Sequence, residues 1–312
     1  MSIKLFEFQI GTIIRVTGED ALPYLQSQLT IDLRKLAIGG TRLGLRLSLK
    51  GKVLFGAQIL RTQEEEFVLV CQGISSSRVI GLLEENVVAD EVDFEEIPGH
   101  WKEYLLYHPT SVEECFRIIG PVSLGPGDAK TFADGWVYLN SRMPSNCLSI
   151  LLPQNKPTPW FKNLPSPHPS ELEQLRLKEG LFLPGLEIGK EEFPQEGELE
   201  KTAVDFDKGC YLGQEVMARI HAMGKVRKKA FAVRSSAPLQ KTLPAGLFCN
   251  HKQIGSLKSQ FLMPEEDDWI GTAVIHENAI ENFLDEGLFI EDTQQTLHPL
   301  NWWTNKKKPF KR

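Results

Sequence analysis

The residues best suited to chemistry lie together in the segment Lys208-Gly209-Cys210-Tyr211-Leu212-Gly213-Gln214-Glu215. Cys210 stands between two glycines, which allow backbone amides to approach a ligand closely. The residues from Gln214 to Ala218 favour a helix, so the thiol is expected near a helix N-terminus, and Lys208 lies two residues away. A positive helix end and a nearby cation both favour thiolate over thiol. The segment therefore predicts a nucleophilic, metal-binding and oxidisable cysteine.

An ordinary structural role remains open for each of these residues, because a lone cysteine is more often a small buried hydrophobe. Gly209, Gly213 and Tyr211 would then shape a turn and pack. Gln214 and Glu215 would satisfy the first helical turn, and Arg219 would form a surface ion pair.

The other four cysteines lie in apolar or turn-like settings and are interpreted as structural: Cys71, Cys115, Cys147 and Cys249. No two cysteines form a C-x-x-C pair, so the spacing typical of a zinc ribbon is absent. A four-cysteine iron–sulfur site from this chain alone is not expected either, because such sites draw on clustered thiolates. We therefore expect reduced thiols and no stably bound metal.

Composition narrows the class of protein. The 312 residues are 41% hydrophobic and 24% charged, which is typical of a globular chain and argues against disorder. The net charge of −6 argues against a molecule that coats nucleic acid. The sequence shows neither a secretory signal nor an apolar run long enough for a bilayer, so a cytoplasmic protein is predicted.

The pattern along the chain predicts an α+β protein. Strands and helices alternate in the first 120 residues, and the serines at 75–77 are helix-starting residues. An earlier helix is predicted to start near residue 18, with an apolar face formed by Leu22, Leu25 and Leu29. Ser170 followed by Glu173 predicts another helix start, and residues 120–135 are predicted to be a loop. From Lys225 onward, short apolar runs alternate with turn residues, which predicts a small all-β barrel or sandwich.

Several of these segments carry a family resemblance. Residues 208–215 resemble the K-G-C-Y-x-G-Q-E signature of the YgfZ family, and Arg219 follows where that family usually has an arginine. The other similar segments are the opening helix at 18–21 and 25–32, the turn Lys50-Gly51-Lys52, and the helix and loop from Arg176 to Glu187 shared with the wider T-protein superfamily. The resemblance covers most of the chain, whereas residues 67–164 and the C-terminal tail match only in pattern.

The resemblance implies a T-protein-like three-domain ring. A split N-terminal α+β domain would comprise residues 1–50 and 150–225, with a ferredoxin-like insert at 51–149. A C-terminal β-barrel at 226–300 would close the ring, followed by a basic tail at 301–312.

It also implies a function, because family members bind a tetrahydrofolate and support iron–sulfur enzymes, including some that modify tRNA. Cys210 would be the working residue, with iron–sulfur enzymes or assembly factors as partners. Glu187 falls where the superfamily has a pterin-binding glutamate, and Lys225 and Arg227 could meet the folate tail. The alternatives are that Glu187 is a solvated loop residue and, with equal weight, that residues 225–229 are an exposed basic run.

One departure bears on catalysis. Aminomethyltransferases of the T-protein type carry an acidic residue just past the turn that corresponds to Lys50-Gly51-Lys52. Here residues 53–58 contain neither Asp nor Glu, which argues against aminomethyl transfer. A folate-dependent one-carbon transferase nevertheless remains one alternative. A non-catalytic module that binds a protein or, weakly, tRNA through the basic tail is another.

Overall fold

The computed structural model describes residues 2–120, 122–239, 242–249, 251–290 and 294–300. The predicted basic tail at 301–312 lies outside the described residues. Within these ranges the chain forms three β-sheets and seven α-helices. The helices are α1 (Ala21–Gln28), α2 (Ser76–Glu84), α3 (Glu113–Ile119), α4 (Pro169–Glu179), α5 (Glu200–Ala203), α6 (Gln214–Met223) and α7 (Glu277–Glu286). None of these helices is long and apolar enough to cross a membrane.

The first sheet lies against the helices that shape the candidate site. Its strands, in spatial order, are β3 (Gly40–Leu47), β4 (Val53–Gln63), β5 (Glu66–Cys71), β2 (Thr12–Thr17) and β6 (Asp93–Glu96), and all neighbours are antiparallel. Of the predicted apolar face of α1, Leu25 and the C-cap Leu29 are fully buried in the core that this sheet shares with α1 and α2, whereas Leu22 is half-buried. Burial of such side chains stabilises the fold by about 1.5–3 kcal/mol each.

The second sheet also has five antiparallel strands. They are, in spatial order, β1 (Lys4–Ile10), β7 (Trp101–Tyr107), β10 (Cys147–Pro153), β9 (Gly135–Tyr138) and β8 (Ala129–Phe132). Helix α3 buries Cys115 and Phe116 against it. The prediction of a loop over residues 120–135 is wrong in part, because β8 pairs with β9 there.

The third sheet forms the C-terminal barrel. Its strands, in spatial order, are β12 (Ala245–Cys249), β13 (Lys252–Met263), β14 (Asp268–His276), β11 (Lys228–Ser235), β16 (Gln295–Pro299) and β15 (Leu288–Ile290). The two edge strands, β12 and β15, lie in contact, so the sheet is nearly closed. Helix α7 packs Ile280 and Phe283 into its core. The predicted barrel is confirmed, but its all-β character is wrong, because the chain forms α7 between β14 and β15.

Strand pairing links segments that the predicted domain boundaries separate. The boundary between residues 50 and 51 falls in the turn between β3 and β4, and these strands pair from Gly40 with Arg61 to Leu47 with Val53. The division of the chain into domains stays a prediction.

Two predicted helix starts have different outcomes. Of the three predicted helix-starting serines, Ser75 is the one that caps α2, and its hydroxyl accepts a hydrogen bond from the amide of Arg78 at 3.4 Å. The start predicted at Ser170 is wrong, because His168 is the N-cap of α4 and its Nδ1 accepts from the Ser170 amide at 3.3 Å. The Glu173 carboxylate instead accepts a hydrogen bond from Arg176 Nε at 3.0 Å, which competes with back-bonding to the helix start.

Candidate functional site

Cys210 lies in the connection between α5 and α6 and is exposed to solvent. Three other cysteines, Cys71, Cys115 and Cys147, are buried, and Cys249 is half-buried. Burial raises the pKa of the Cys71 and Cys115 thiols to about 12, so both stay protonated near neutral pH. Cys210 is therefore the cysteine that a partner molecule reaches most easily.

An open groove of about 330 Å³ lies beside the Cys210 thiol. Its lining comes from α1, the turn after α1 and the Cys210 loop, namely Leu22, Pro23, Gln26, Ser27, Arg34, Gly209 and Cys210. This volume is at the small end of the range for small-molecule sites, about 300–1,000 Å³. Leu22 and Pro23 contribute apolar surface, and the exposed Arg34 contributes a positive charge.

Lys208, the cation predicted to favour the thiolate, is 4% exposed and directs its ammonium to the backbone. Its Nζ donates to the carbonyl oxygens of Gln26, Leu29 and Ile31 at 2.6, 2.6 and 2.8 Å. Burial lowers the pKa of Lys208 to about 8. The motif lysine thus ties the Cys210 loop to the end of α1.

Further bonds attach the Cys210 loop to the same segment. The Leu212 amide donates to the Ser27 carbonyl at 3.1 Å, and the Asp205 amide donates to the Thr30 carbonyl at 2.9 Å. One Asp205 carboxylate oxygen also accepts from the Asp32 amide at 2.6 Å. The chain is consequently held on both sides of Cys210.

The predicted helix after the motif is confirmed, since α6 begins at Gln214. Gly213 precedes it with φ of +83°, and a Cβ at this position would lie 2.6 Å from the Ser48 carbonyl oxygen. Only glycine tolerates both the backbone angle and this close approach. Gln214 is half-buried, whereas Glu215 and Arg219 are exposed on α6.

Tyr211 packs beneath the loop. Its side chain is buried, and its ring centroid lies 5.2 Å from Lys208 Nζ. Burial raises the pKa of the Tyr211 hydroxyl to about 12, and that hydroxyl has no hydrogen-bond partner among the described residues. The arrangement supports a packing role for Tyr211 next to the lysine anchor.

Sequence reasoning missed an ion-pair network beside the groove. Arg34 donates to both Asp32 oxygens at 2.9 and 3.2 Å, and its hydrogen bond holds the Asp32 pKa well below its usual range. Arg42 donates to both Asp205 oxygens at 2.7 and 3.1 Å. The Arg42–Asp205 partners are 163 residues apart in sequence, so local patterns contained no signal for this network.

Glu187, the predicted pterin-binding residue, is 1% exposed and surrounded by internal donors. Arg176 donates to its two oxygens at 2.7 and 3.0 Å. Three more donors are the Leu183 amide at 2.8 Å, the Ser259 hydroxyl at 2.5 Å and the Thr272 hydroxyl at 2.8 Å. Burial alone would raise the Glu187 pKa, but the Arg176 ion pair and these hydrogen bonds outweigh it and lower the pKa.

The five hydrogen-bond donors around Glu187 determine whether it can also bind a pterin. A carboxylate has about four lone-pair positions, so Glu187 has no capacity left for the N–H groups of a pterin edge. In this conformation Glu187 does not fit that role and instead joins α4 to the barrel strands β13 and β14. Lys225 and Arg227 are exposed in the connection between α6 and β11. Their contact with the tail of a folate stays a prediction.

A second charged cluster, also missed from the sequence, lies beside the Lys50-Gly51-Lys52 turn. Lys52 Nζ lies 3.3 Å from the Phe193 ring centroid, and burial lowers its pKa. The buried Glu192 pairs at 2.6 Å with Lys258, whose side chain is 7% exposed. Glu196 is 2% exposed, and burial raises its pKa although its carboxylate accepts from the Phe193 amide at 2.9 Å. The acidic residues on either side of Phe193 were the sequence feature from which this cluster could have been predicted.

Comparisons with known proteins agree with this architecture. Residues 2–120 match the model of the GCVT N-terminal domain. A crystal structure of the glycine cleavage system aminomethyltransferase T from Bartonella henselae superposes with a TM-score of 0.74, at 18% sequence identity, over 96% of this chain and 87% of that chain. At this identity the likeness establishes the fold, and the predicted T-protein-like fold class is confirmed.

Two sequence relatives extend the comparison. The human mitochondrial iron–sulfur cluster assembly factor IBA57 is 28% identical over 267 residues, which span 75% of this chain and 67% of that protein. The tRNA-modifying protein YgfZ of Colwellia psychrerythraea is 24% identical over 245 residues, which span 75% of this chain and 71% of that protein. The predicted resemblance is thereby confirmed: the chain is similar to the YgfZ and IBA57 proteins, and its residues 2–120 match the GCVT N-terminal domain.

Proposed function

We propose that this protein assists the assembly or repair of iron–sulfur enzymes, some of which modify tRNA, and that Cys210 is its reactive thiol. The observation that carries the proposal is an exposed cysteine beside a groove, in a chain related to an iron–sulfur cluster assembly factor and a tRNA-modifying protein. We place the protein in the cytoplasm, with iron–sulfur enzymes or assembly factors as its partners.

The geometry suits transient sulfur coordination. On releasing its proton to water, the Cys210 thiol can bond as a thiolate to one iron atom of a partner's cluster, at a coordination position that the partner leaves open. Iron–sulfur clusters are held by several thiolates, so the partner would supply the remaining ligands. The tethered loop keeps the thiol accessible, and Arg34 in the groove, which is exposed beyond its ion pair with Asp32, can donate a further hydrogen bond to the approaching partner.

A reduced folate, tetrahydrofolate or a derivative, is the small-molecule ligand we propose on the basis of the family resemblance. Lys225 and Arg227 are the residues proposed to meet its carboxylate tail, because both are exposed cations. Glu187 is not included among the proposed contacts, since its oxygens are saturated by internal donors.

Genetic complementation tests the role of the thiol. In a bacterial strain that lacks its own YgfZ-type gene, the wild-type protein should restore the activity of an iron–sulfur enzyme, and Cys210→Ser should not. Cys249→Ser is the matched control, because Cys249 is half-buried and does not line the groove. Full restoration by Cys210→Ser, at equal protein levels, would refute the proposal.

Calorimetric titration with 5-formyltetrahydrofolate tests the folate part separately. The wild-type protein should bind the ligand, and Lys225→Ala and Arg227→Ala should each weaken binding several-fold. Lys252→Ala, which removes another exposed cation, is the control. Absence of binding by the wild-type protein at millimolar ligand would contradict folate binding without affecting the thiol proposal.

A further inference from the structure

The contacts of Lys208 form a three-carbonyl cage around one ammonium group. The three acceptors come from Gln26, Leu29 and Ile31, which lie at the end of α1 and in the turn after it. The last carbonyl groups of a helix have no intrahelical partner, and the negative end of the helix dipole favours a cation there. A lysine ammonium has three N–H donors, so the cage uses all of them.

The cage lies beside the groove that contains Cys210. Gln26 and Ser27 line that groove, and both belong to the stretch to which the loop is attached. Lys208 is bound there two residues before Cys210, and the Leu212 amide is bound to Ser27 two residues after it. The exposed residues Gly209 and Cys210 therefore form a short arch fixed at both ends.

We infer that Lys208 is a positioning residue for Cys210, whose ammonium holds the Cys210 loop against residues 26–31 and thereby sets the thiol at the edge of the groove. The effect of Lys208 on iron–sulfur enzymes rests on the proposed function of Cys210. The anchoring of the loop by Lys208 does not depend on that function. It replaces the expectation that Lys208 acts as a cation directed at the sulfur, because the three donors point at carbonyl oxygens.

Amide hydrogen exchange on the purified full-length protein tests the anchor directly. Lys208→Met removes all three donors. Lys208→Arg keeps the positive charge, but its planar fork does not match three converging carbonyls. In both variants, exchange at Leu212 and within residues 26–31 should accelerate by about tenfold or more, as expected when local contacts are lost. Lys225→Met, which removes an exposed lysine of the neighbouring connection, should leave those rates unchanged.

The pH profile of Cys210 alkylation by iodoacetamide, measured in the Cys249→Ser background, separates anchoring from a charge effect. An anchor leaves the midpoint of the profile in Lys208→Met near that of the wild type. A lysine that stabilises the thiolate would instead give a higher midpoint in Lys208→Met and a wild-type midpoint in Lys208→Arg. That result, or unchanged exchange in both variants, overturns the inference.

A wild-type measurement keeps the inference testable should Lys208→Met fail to fold. The Leu212 amide should exchange far more slowly in the wild-type protein than the amide of the exposed residue Cys210, and equal rates would contradict a fixed arch. The outcomes are independent of the proposed function. Restoration of enzyme activity by Cys210→Ser would refute that function while leaving the measured anchoring intact.

Discussion

Glu187 and Cys210 both lie in loops, and both were selected from the sequence as functional residues, yet their surroundings differ. The Glu187 carboxylate is buried and accepts five hydrogen bonds from donors on α4, its own loop and two barrel strands. The Cys210 thiol is exposed at a groove, while the residues on either side of it are tied down.

Glu187 and Cys210 differ in whether the side chain can still form a bond to a ligand or partner. A saturated buried carboxylate contributes to stability and leaves nothing for a ligand, whereas an exposed thiol on a fixed loop keeps its capacity for a partner. Substitutions at the Glu187 cluster should therefore affect folding, and substitution of Cys210 should affect function while leaving stability nearly unchanged.

The largest effect is expected from Glu187→Ala. It removes the carboxylate that pairs with Arg176, whose guanidinium is fully buried. Arg176 keeps Glu173 as a counter-ion, but Leu183, Ser259 and Thr272 also lose their acceptor, so the loss should reach about 3–5 kcal/mol, as for a broken buried ion pair. Urea unfolding should show this loss, and Glu191→Ala, which removes an exposed carboxylate of the same loop, should change stability by less than about 0.5 kcal/mol. Equal losses of stability in the two variants would show that the buried hydrogen bonds of Glu187 do not set it apart from an exposed carboxylate.

Acid should weaken the Glu187 cluster. Because the pKa of Glu187 is lower in the folded than in the unfolded chain, its contribution is present above the unfolded value and is lost as pH falls through the folded value. Unfolding midpoints measured from neutral pH downward should therefore depend less on pH in Glu187→Gln than in the wild type. An unchanged pH dependence would show that other groups dominate acid unfolding.

A moderate effect is expected from Gly213→Ala, next to the Cys210 loop. The left-handed backbone angle and the 2.6 Å approach of a Cβ to the Ser48 carbonyl should cost about 1–3 kcal/mol of stability. Gly209→Ala is the matched control, because a Cβ there meets no atom within 4 Å. Thermal unfolding should rank the two variants in this order, and the reverse order would contradict the described packing of α6 on the β3–β4 turn.

The smallest effect on stability is expected from Cys210→Ser, within about 0.5 kcal/mol, since the side chain is exposed. Cys147→Ser is the buried counterpart and should cost about 1–3 kcal/mol, because it places a hydroxyl in an apolar core. A large loss of stability in Cys210→Ser would indicate that Cys210 is a packing residue, as the alternative interpretation of its motif requires.

Helix starts and helix faces were predicted correctly where they depend on residues close together in the sequence. The start of α6 after Gly213, the Ser75 cap of α2 and the apolar face of α1 depend on residues a few positions apart, and all three are present. The start of α4 was misjudged by only two residues, because His168 serves as the N-cap in place of Ser170. Boundaries of this kind depend on which of several nearby side chains reaches the backbone.

The amino-acid sequence by itself determined the Cys210 motif, the helix that follows it, the strands of the C-terminal part and the absence of acid from residues 53–58. Only the tertiary structure decided the roles of Lys208 and Glu187. The carbonyl partners of Lys208 lie 177–182 residues away, and two of the donors to Glu187 lie 72 and 85 residues away. Hydrogen-bonding capacity is a property of residue type, but its use depends on partners that only the folded chain brings together.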